Sequence, residues 1–405
     1  VIVYALYAYF NKGIAYSFLV EGLLVLGLLL VVWERRSYVF IWNRKVMLLV
    51  FFVLLTGIYI VRGIVQKYNL MDVIRDSFML NYIAFVFIIF LFKDQVDYLV
   101  SKLANVYKWY PLVACCSFLM VSYIPFFADF TVFGDIVLLH YKYSDMAVHL
   151  FITTLFLLNG NIKLEKRFLL VNAVLIAYLF LVASSYSRSG MVSYIVSFAV
   201  FVFTTQNKAL KQQILSSLKF VPVIVLIALP FYLSTKVEEN FQGRKLGLSQ
   251  INENINSIVN PDNTDGSLAD NKVWRLVWWG KIIDYTFAGP YFLNGKGLGM
   301  SLAVDDEIPM AEEELRAPHN FHLDILARFG VPVFFLWLYW LFLNLKGMRT
   351  KDLDSFQLIL QVIFLMFILN ASFDVFLEGP MGAFPFWTFV GIAYVKEEQT
   401  ANTRA

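Results

Sequence analysis

Charge is what this sequence lacks. Only 16% of its residues are Asp, Glu, Lys or Arg, against about 25% in a soluble domain. That deficit excludes a chain built only of ordinary water-soluble domains. The formal net charge of +3 is too small to argue for a nucleic-acid partner. Cysteine is nearly missing too. Cys115 and Cys116 are neighbours in an apolar run, where they read as packing residues and supply neither a disulfide framework nor a metal site. Internal repeats and low-complexity tracts are absent. The first apolar stretch has no small-residue cleavage site, so it reads as a retained span and not a signal peptide. The chain starts at Val1, which leaves open whether that first helix is complete.

Hydrophobic residues are abundant instead, at 59% with 40 phenylalanines and a mean hydropathy of +0.66. A bilayer crossing needs about 20 apolar residues. Polar breaks divide the sequence into about twelve apolar runs, at 1–9, 15–33, 46–61, 78–92, 110–127, 146–158, 168–185, 191–204, 220–233, 331–345, 356–373 and 383–395. The expected fold class is all-α, a polytopic membrane protein of about twelve transmembrane helices. Three segments organise it: 1–233 with spans one to nine, a long loop at 234–321, and 322–405 with spans ten to twelve and a tail.

Alternate breaks are basic. They hold Arg35, Arg36, Arg44 and Lys45, then Lys93, Lys102 and Lys108, then Lys163, Lys166 and Arg167, then Lys208, Lys211 and Lys219, then Lys346, Arg349 and Lys351, and finally Lys396. The positive-inside rule places these in the cytoplasm, with both termini. The long loop then lies on the outer side. It is the one segment of soluble-like composition, with an Asn and Asp cluster from Asn252 to Asp265 and a Gly-rich turn from Asn294 to Gly299. Between them Trp274, Trp278 and Trp279 mark an amphipathic stretch, Lys272 to Tyr285, expected to form an ordered helix at the membrane interface.

Groups able to do chemistry collect on that outer side. His319 stands where the long loop re-enters the apolar region, and a neutral imidazole there can take a proton from a sugar hydroxyl. The alternative is a helix-cap histidine, which Pro318 and Asn320 also suit. His322 and Asp324 raise the question of a metal, but His-x-x-His is a weak pattern and no third ligand clusters with it. The acidic run Asp305, Asp306, Glu307, Glu312, Glu313 and Glu314 reads as a solvated face, or as a cation or sugar contact. Arg188, in the short Ser-rich turn Ser184 to Gly190, and Arg275, among the tryptophans, offer planar donor forks to phosphate oxygens. Snorkelling to lipid headgroups is the other account of both. Arg62 and Arg75, with Lys67 between them, are further candidates for a phosphate. Asp374 and Glu378 could pair the arginines or position an acceptor hydroxyl.

The segment beginning at His319 resembles the O-antigen ligase and polymerase superfamily of bacterial membrane glycosyltransferases. The ligase pattern is His, then Asn, Ser or Gln, nine residues, Gly, two residues, and Gly, Thr or Val. His319, Asn320, Gly330 and Val333 match it in full. Ser187-Arg188-Ser189-Gly190 and Arg275 before the Gly-rich turn also look like family positions. The resemblance implies a GT-C type fold in the bacterial inner membrane, with its active site facing the periplasm. It implies inverting glycan transfer without metal or other cofactor. The donor would be a glycan on undecaprenyl pyrophosphate. The acceptor would be a lipid A-core sugar in a ligase, a second lipid-linked unit in a polymerase, or a protein in a third branch. By the same analogy His319 would handle the acceptor hydroxyl, with Asn320 beside it, and Arg188 and Arg275 would bind the pyrophosphate. Arg316 is an alternative phosphate partner. A transporter of lipid-linked glycans is the competing class, but such folds show internal repeats and interrupted midplane helices, and here the polar groups gather at one boundary.

Overall fold

The computed structural model describes all residues except 15–16, 36–37, 134–135, 140, 236–244, 260–266, 309–314, 350–353 and 405. Arg36, Lys351, Glu312, Glu313, Glu314 and the 260–265 part of the Asn and Asp cluster lie outside the described residues. The described chain is almost wholly helical. Its one sheet is a two-stranded antiparallel hairpin, Thr131–Phe133 with Ile136–Val137.

Polar breaks become helix starts because their asparagines cap. Asn43 accepts from the Val46 amide at 3.0 Å, Asn69 from Met71 at 2.9 Å and Asn207 from Leu210 at 3.1 Å. Each side chain satisfies an amide that the first turn leaves without a carbonyl.

The expected twelve crossings are only partly matched by helices of full length. Among the described residues three helices are long and apolar enough to cross a bilayer, in Arg44–Val65, Lys166–Tyr186 and Val331–Met348. The number rises to five if each of two bent pairs is one span: Leu70–Asn81 with Ala84–Phe90, bent by 49°, and Lys208–Leu218 with Val221–Ser234, bent by 44°. Four more apolar helices have 10–17 residues. At 1.5 Å per residue these fall short of a hydrocarbon layer of about 30 Å. Composition counts apolar runs; it does not register where a run bends or stops. The run at 110–127, for example, begins in the second half of the helix Val96–Tyr123 and ends in the separate short helix Pro125–Ala128.

The chain forms two compact units. One comprises Val1–Leu23, Phe92–Thr264 and Met348–Asn370, the other Leu24–Leu91, Asp265–Gly347 and Ala371–Ala405. In the first, Lys166–Tyr186 packs against Val96–Tyr123, Tyr143–Leu158, Val221–Ser234 and Leu248–Val259, and Arg188–Thr204 lies along Tyr143–Leu158. Phe151, Ile152, Leu155, Leu179 and Val182 are fully buried there. In the second, Arg44–Val65 packs on Leu70–Asn81 and Val331–Leu345, Pro380–Arg404 on Ala84–Phe90, and Ser267–Ile283 on Phe321–Phe329. Trp337, Trp340 and Trp387 centre its core, with the first two rings stacked at 4.9 Å. The long loop is thus divided, its first part in one unit and the rest in the other.

Candidate active site

The nine residues between Asn320 and Gly330 are one helix, Phe321–Phe329. Asn320 is its N-cap, accepting from the His322 and Leu323 amides at 3.1 and 3.2 Å. Gly330 is its C-cap, with φ +84°. A Cβ on Gly330 would stand 2.7 Å from the Phe292 carbonyl oxygen, so both conformation and space call for glycine. The motif spacing is therefore the length of a helix and its two caps. Val333 is buried in the first turn of the next helix, Val331–Leu345.

His319 precedes the cap. Its φ is +53°, the left-handed region, which costs a side-chain-bearing residue about 1–2 kcal/mol. Neighbours hold it there. The Pro318 carbonyl accepts from Trp279 Nε1 at 2.8 Å, and the half-buried His319 ring stands at 90° to the Trp274 ring, centroids 5.8 Å apart. The Arg275 guanidinium lies over the same indole, 5.4 Å from its centroid, and donates to the Phe373 carbonyl at 3.1 Å. Trp274 thereby brings together two residues singled out from sequence. It was itself read only as an interface tryptophan. Trp278, one turn on, is fully buried with Ile282, Leu302, Leu326 and Ala327, while Val273, Leu276 and Val277 on the helix's other side are exposed.

His322 is committed elsewhere. Trp337 Nε1 donates to its Nδ1 at 3.0 Å, so a neutral ring carries its proton on Nε2, which donates to Ser372 Oγ at 3.1 Å. Among the described residues no three His, Cys, Asp or Glu side chains are grouped as metal ligands.

Three of the candidate arginines have structural partners. Arg62 donates to the Asn294 and Gly295 carbonyls at 2.9 and 3.4 Å, clamping the Gly-rich turn. Arg75 pairs with Asp72 at 3.1 Å on an exposed helix face. Arg316 bridges Asp72 and Asp76 at 3.3 and 3.1 Å. Asp76 is the hub of a cluster that sequence reading missed. It also pairs with Arg328 at 2.9 Å and accepts from the Gly299 amide at 2.9 Å, while Arg328 reaches Asp324 at 2.9 Å. Arg328 is 2% exposed. Burial works against its charge, but Asp324, Asp76 and Glu378 outweigh that and raise its pKa above the usual guanidinium value. The one local sign of this cluster was the four-residue spacing of Asp324 and Arg328. Glu378 thus belongs to this cluster's field, and Asp374 Oδ1 accepts from the Val375 amide at 2.8 Å. In the acidic run, Asp305 and Asp306 pair with Lys296, and Asp306 also accepts from Trp278 Nε1 at 2.5 Å. Asp306 departs from the solvated-face reading at 7% exposed, while Asp305 and Glu307 are exposed.

Arg188 lies in the other unit, as the first residue of Arg188–Thr204. Ser187 caps that helix, accepting from the Gly190 amide at 3.1 Å. A Cβ on Gly190 would meet Ala147 Cβ at 3.0 Å and Ser144 Cα at 3.1 Å, so glycine lets the turn lie against Tyr143–Leu158. Arg188 Nη1 donates to Ser257 Oγ at 3.0 Å.

A family model described as O-antigen ligase matches residues 173–338. That stretch contains Arg188, Arg275, His319 and Gly330, and the match supports the superfamily of O-antigen ligases and polymerases. No curated protein and no solved structure matches the chain.

Proposed function

We propose, from the O-antigen ligase match, that this membrane protein is a ligase-like glycosyltransferase that moves a glycan from undecaprenyl pyrophosphate to a sugar hydroxyl of the lipid A core. In this reading the chain crosses the bacterial inner membrane about twelve times, in a GT-C type arrangement, with His319 on the periplasmic side. The observation that supports it best is the strained, half-buried His319 sharing the Trp274 indole with Arg275. Backbone strain of this kind persists where surrounding contacts over-determine it, and it gathers at functional sites.

The chemistry runs as an inverting displacement. The acceptor hydroxyl gives its proton to the imidazole of His319 as its oxygen bonds to the anomeric carbon. The bond from that carbon to the pyrophosphate breaks on the opposite face. The lipid pyrophosphate leaves with added negative charge, which a fixed guanidinium stabilises as it develops. Arg275 is proposed for that role in its own unit, and Arg188 as a phosphate contact in the other. Fixed arginines do for the leaving group what Mg²⁺ does elsewhere, so transfer is expected to continue in EDTA.

The test uses purified protein in lipid vesicles with a synthetic undecaprenyl-pyrophosphate glycan and EDTA, with and without lipid A core. Glycan joined to the core is the expected product. Longer lipid-linked chains without core make the chain a polymerase with the same donor. Glycan on protein acceptors, transport without transfer, or strict dependence on an added divalent metal would overturn the mechanism. His319→Ala is expected to lower transfer by about 10²–10⁴-fold with an unchanged melting profile, and near wild-type transfer would remove His319 from the chemistry.

A further inference from the structure

The helix Leu248–Val259, from the long loop, docks on the Ser184–Gly190 turn through two residues. Asn254 is fully buried and donates both amide hydrogens, to the Ser184 carbonyl at 2.8 Å and the Ser185 carbonyl at 2.9 Å. Both carbonyls belong to the last turn of Lys166–Tyr186, where a helix leaves its acceptors unsatisfied. One turn further, Ser257 Oγ donates to the Asn254 carbonyl at 2.8 Å. Its proton is then spent, so the oxygen faces Arg188 Nη1 as an acceptor, at 3.0 Å.

The partner's chemistry matters. A hydroxyl fixes a guanidinium without neutralising it, whereas Arg316 and Arg328 are matched by carboxylates. A guanidinium has five N–H donors, and among the described residues Arg188 forms this one hydrogen bond.

We propose that Asn254 and Ser257 are positioning residues for Arg188, fixing its guanidinium with full charge and unspent donors for a lipid pyrophosphate. The inference rests on the phosphate role proposed above for Arg188. The side-chain hydroxyl of Ser257 sets the Arg188 rotamer, and Asn254 sets Ser257 by locking its helix to the turn. Neither touches the reacting atoms.

The experiment measures the Kd of the full-length protein in detergent for undecaprenyl pyrophosphate without glycan, so inactive variants remain readable. Ser257→Ala and Asn254→Asp are each expected to weaken binding about tenfold, the scale of one hydrogen bond to a charged group. Asn254→Asp keeps the shape but turns an oxygen on two carbonyl oxygens. Ser257→Thr keeps the hydroxyl and is expected to bind as wild type. On an Arg188→Lys background, Ser257→Ala is expected to add no further loss. Wild-type binding by Ser257→Ala while Arg188→Lys is weakened overturns the inference alone, as does a full additional loss in the double variant. Wild-type binding by Arg188→Lys overturns the phosphate role of Arg188, and the inference with it.

Discussion

Arg328 and Arg188 show two ways a largely apolar protein keeps an arginine. Arg328 is surrounded by acids, with Asp76 and Asp324 each at 2.9 Å. Arg188 sits at a helix start with a serine hydroxyl as its partner. The first arrangement consumes the charge to join the Gly-rich turn, the helix Leu70–Asn81 and the helix after His319. The second holds the guanidinium through a hydroxyl without neutralising it. Where an arginine's partners are anionic, its loss is felt as stability. For Arg188, with a neutral partner and the phosphate role proposed above, the expected loss is one of binding.

That contrast can be broken by substitution. Arg328→Leu leaves Asp76 and Asp324 buried without their shared cation and is expected to cost about 3–5 kcal/mol, read as a collapse of the melting temperature in detergent. A stable, active Arg328→Leu protein would mean that the cluster is not structural. Gly330→Ala meets both a positive φ and the Phe292 carbonyl, with an expected cost of about 1–3 kcal/mol in the same melt. Arg188→Lys keeps the charge but loses the planar fork. Transfer is expected to fall about tenfold, or about 1.4 kcal/mol in the barrier, with no change in melting. A lowered melting temperature with normal transfer would place Arg188 in the same class as Arg328. Arg75→Ala removes only an exposed ion pair with Asp72. It is expected to shift stability by less than about 0.5 kcal/mol and to leave transfer untouched.

Much of the local order was legible in the sequence. Pro318 and Asn320 announced a helix start, and Asn320 caps one. Gly330, singled out only as a position of the ligase pattern, sits at φ +84° as the C-cap of the same helix. The Trp274 to Trp279 stretch announced an ordered helix, and it forms part of Ser267–Ile283. What could not be read were partnerships across long separations. Arg316 looked as available as Arg188 because Asp76, 240 positions away, gives no local sign of its approach. Arg62 looked like a phosphate ligand because a carbonyl partner such as Asn294 is invisible in side-chain composition. His322 raised only a weak metal question in the sequence, and its partners Trp337 and Ser372, at 15 and 50 positions' separation, had no local sign. The number of crossings is matched only in part by helices of full length, because counting apolar runs does not fix how long each helix is.

The capped helix Phe321–Phe329 also works as an angular gauge. At 3.6 residues per turn, nine residues make about two and a half turns, so its two ends leave from opposite sides of the cylinder. Gly330 is pinned against Phe292 at one end, and His319 takes its bearing at the other. One inserted or deleted residue would swing the imidazole by about 100° relative to that pin, away from Trp274. The spacing between histidine and glycine is in this sense a rotational setting, and substitutions that preserve its length disturb the aim of His319 less than a single change in count.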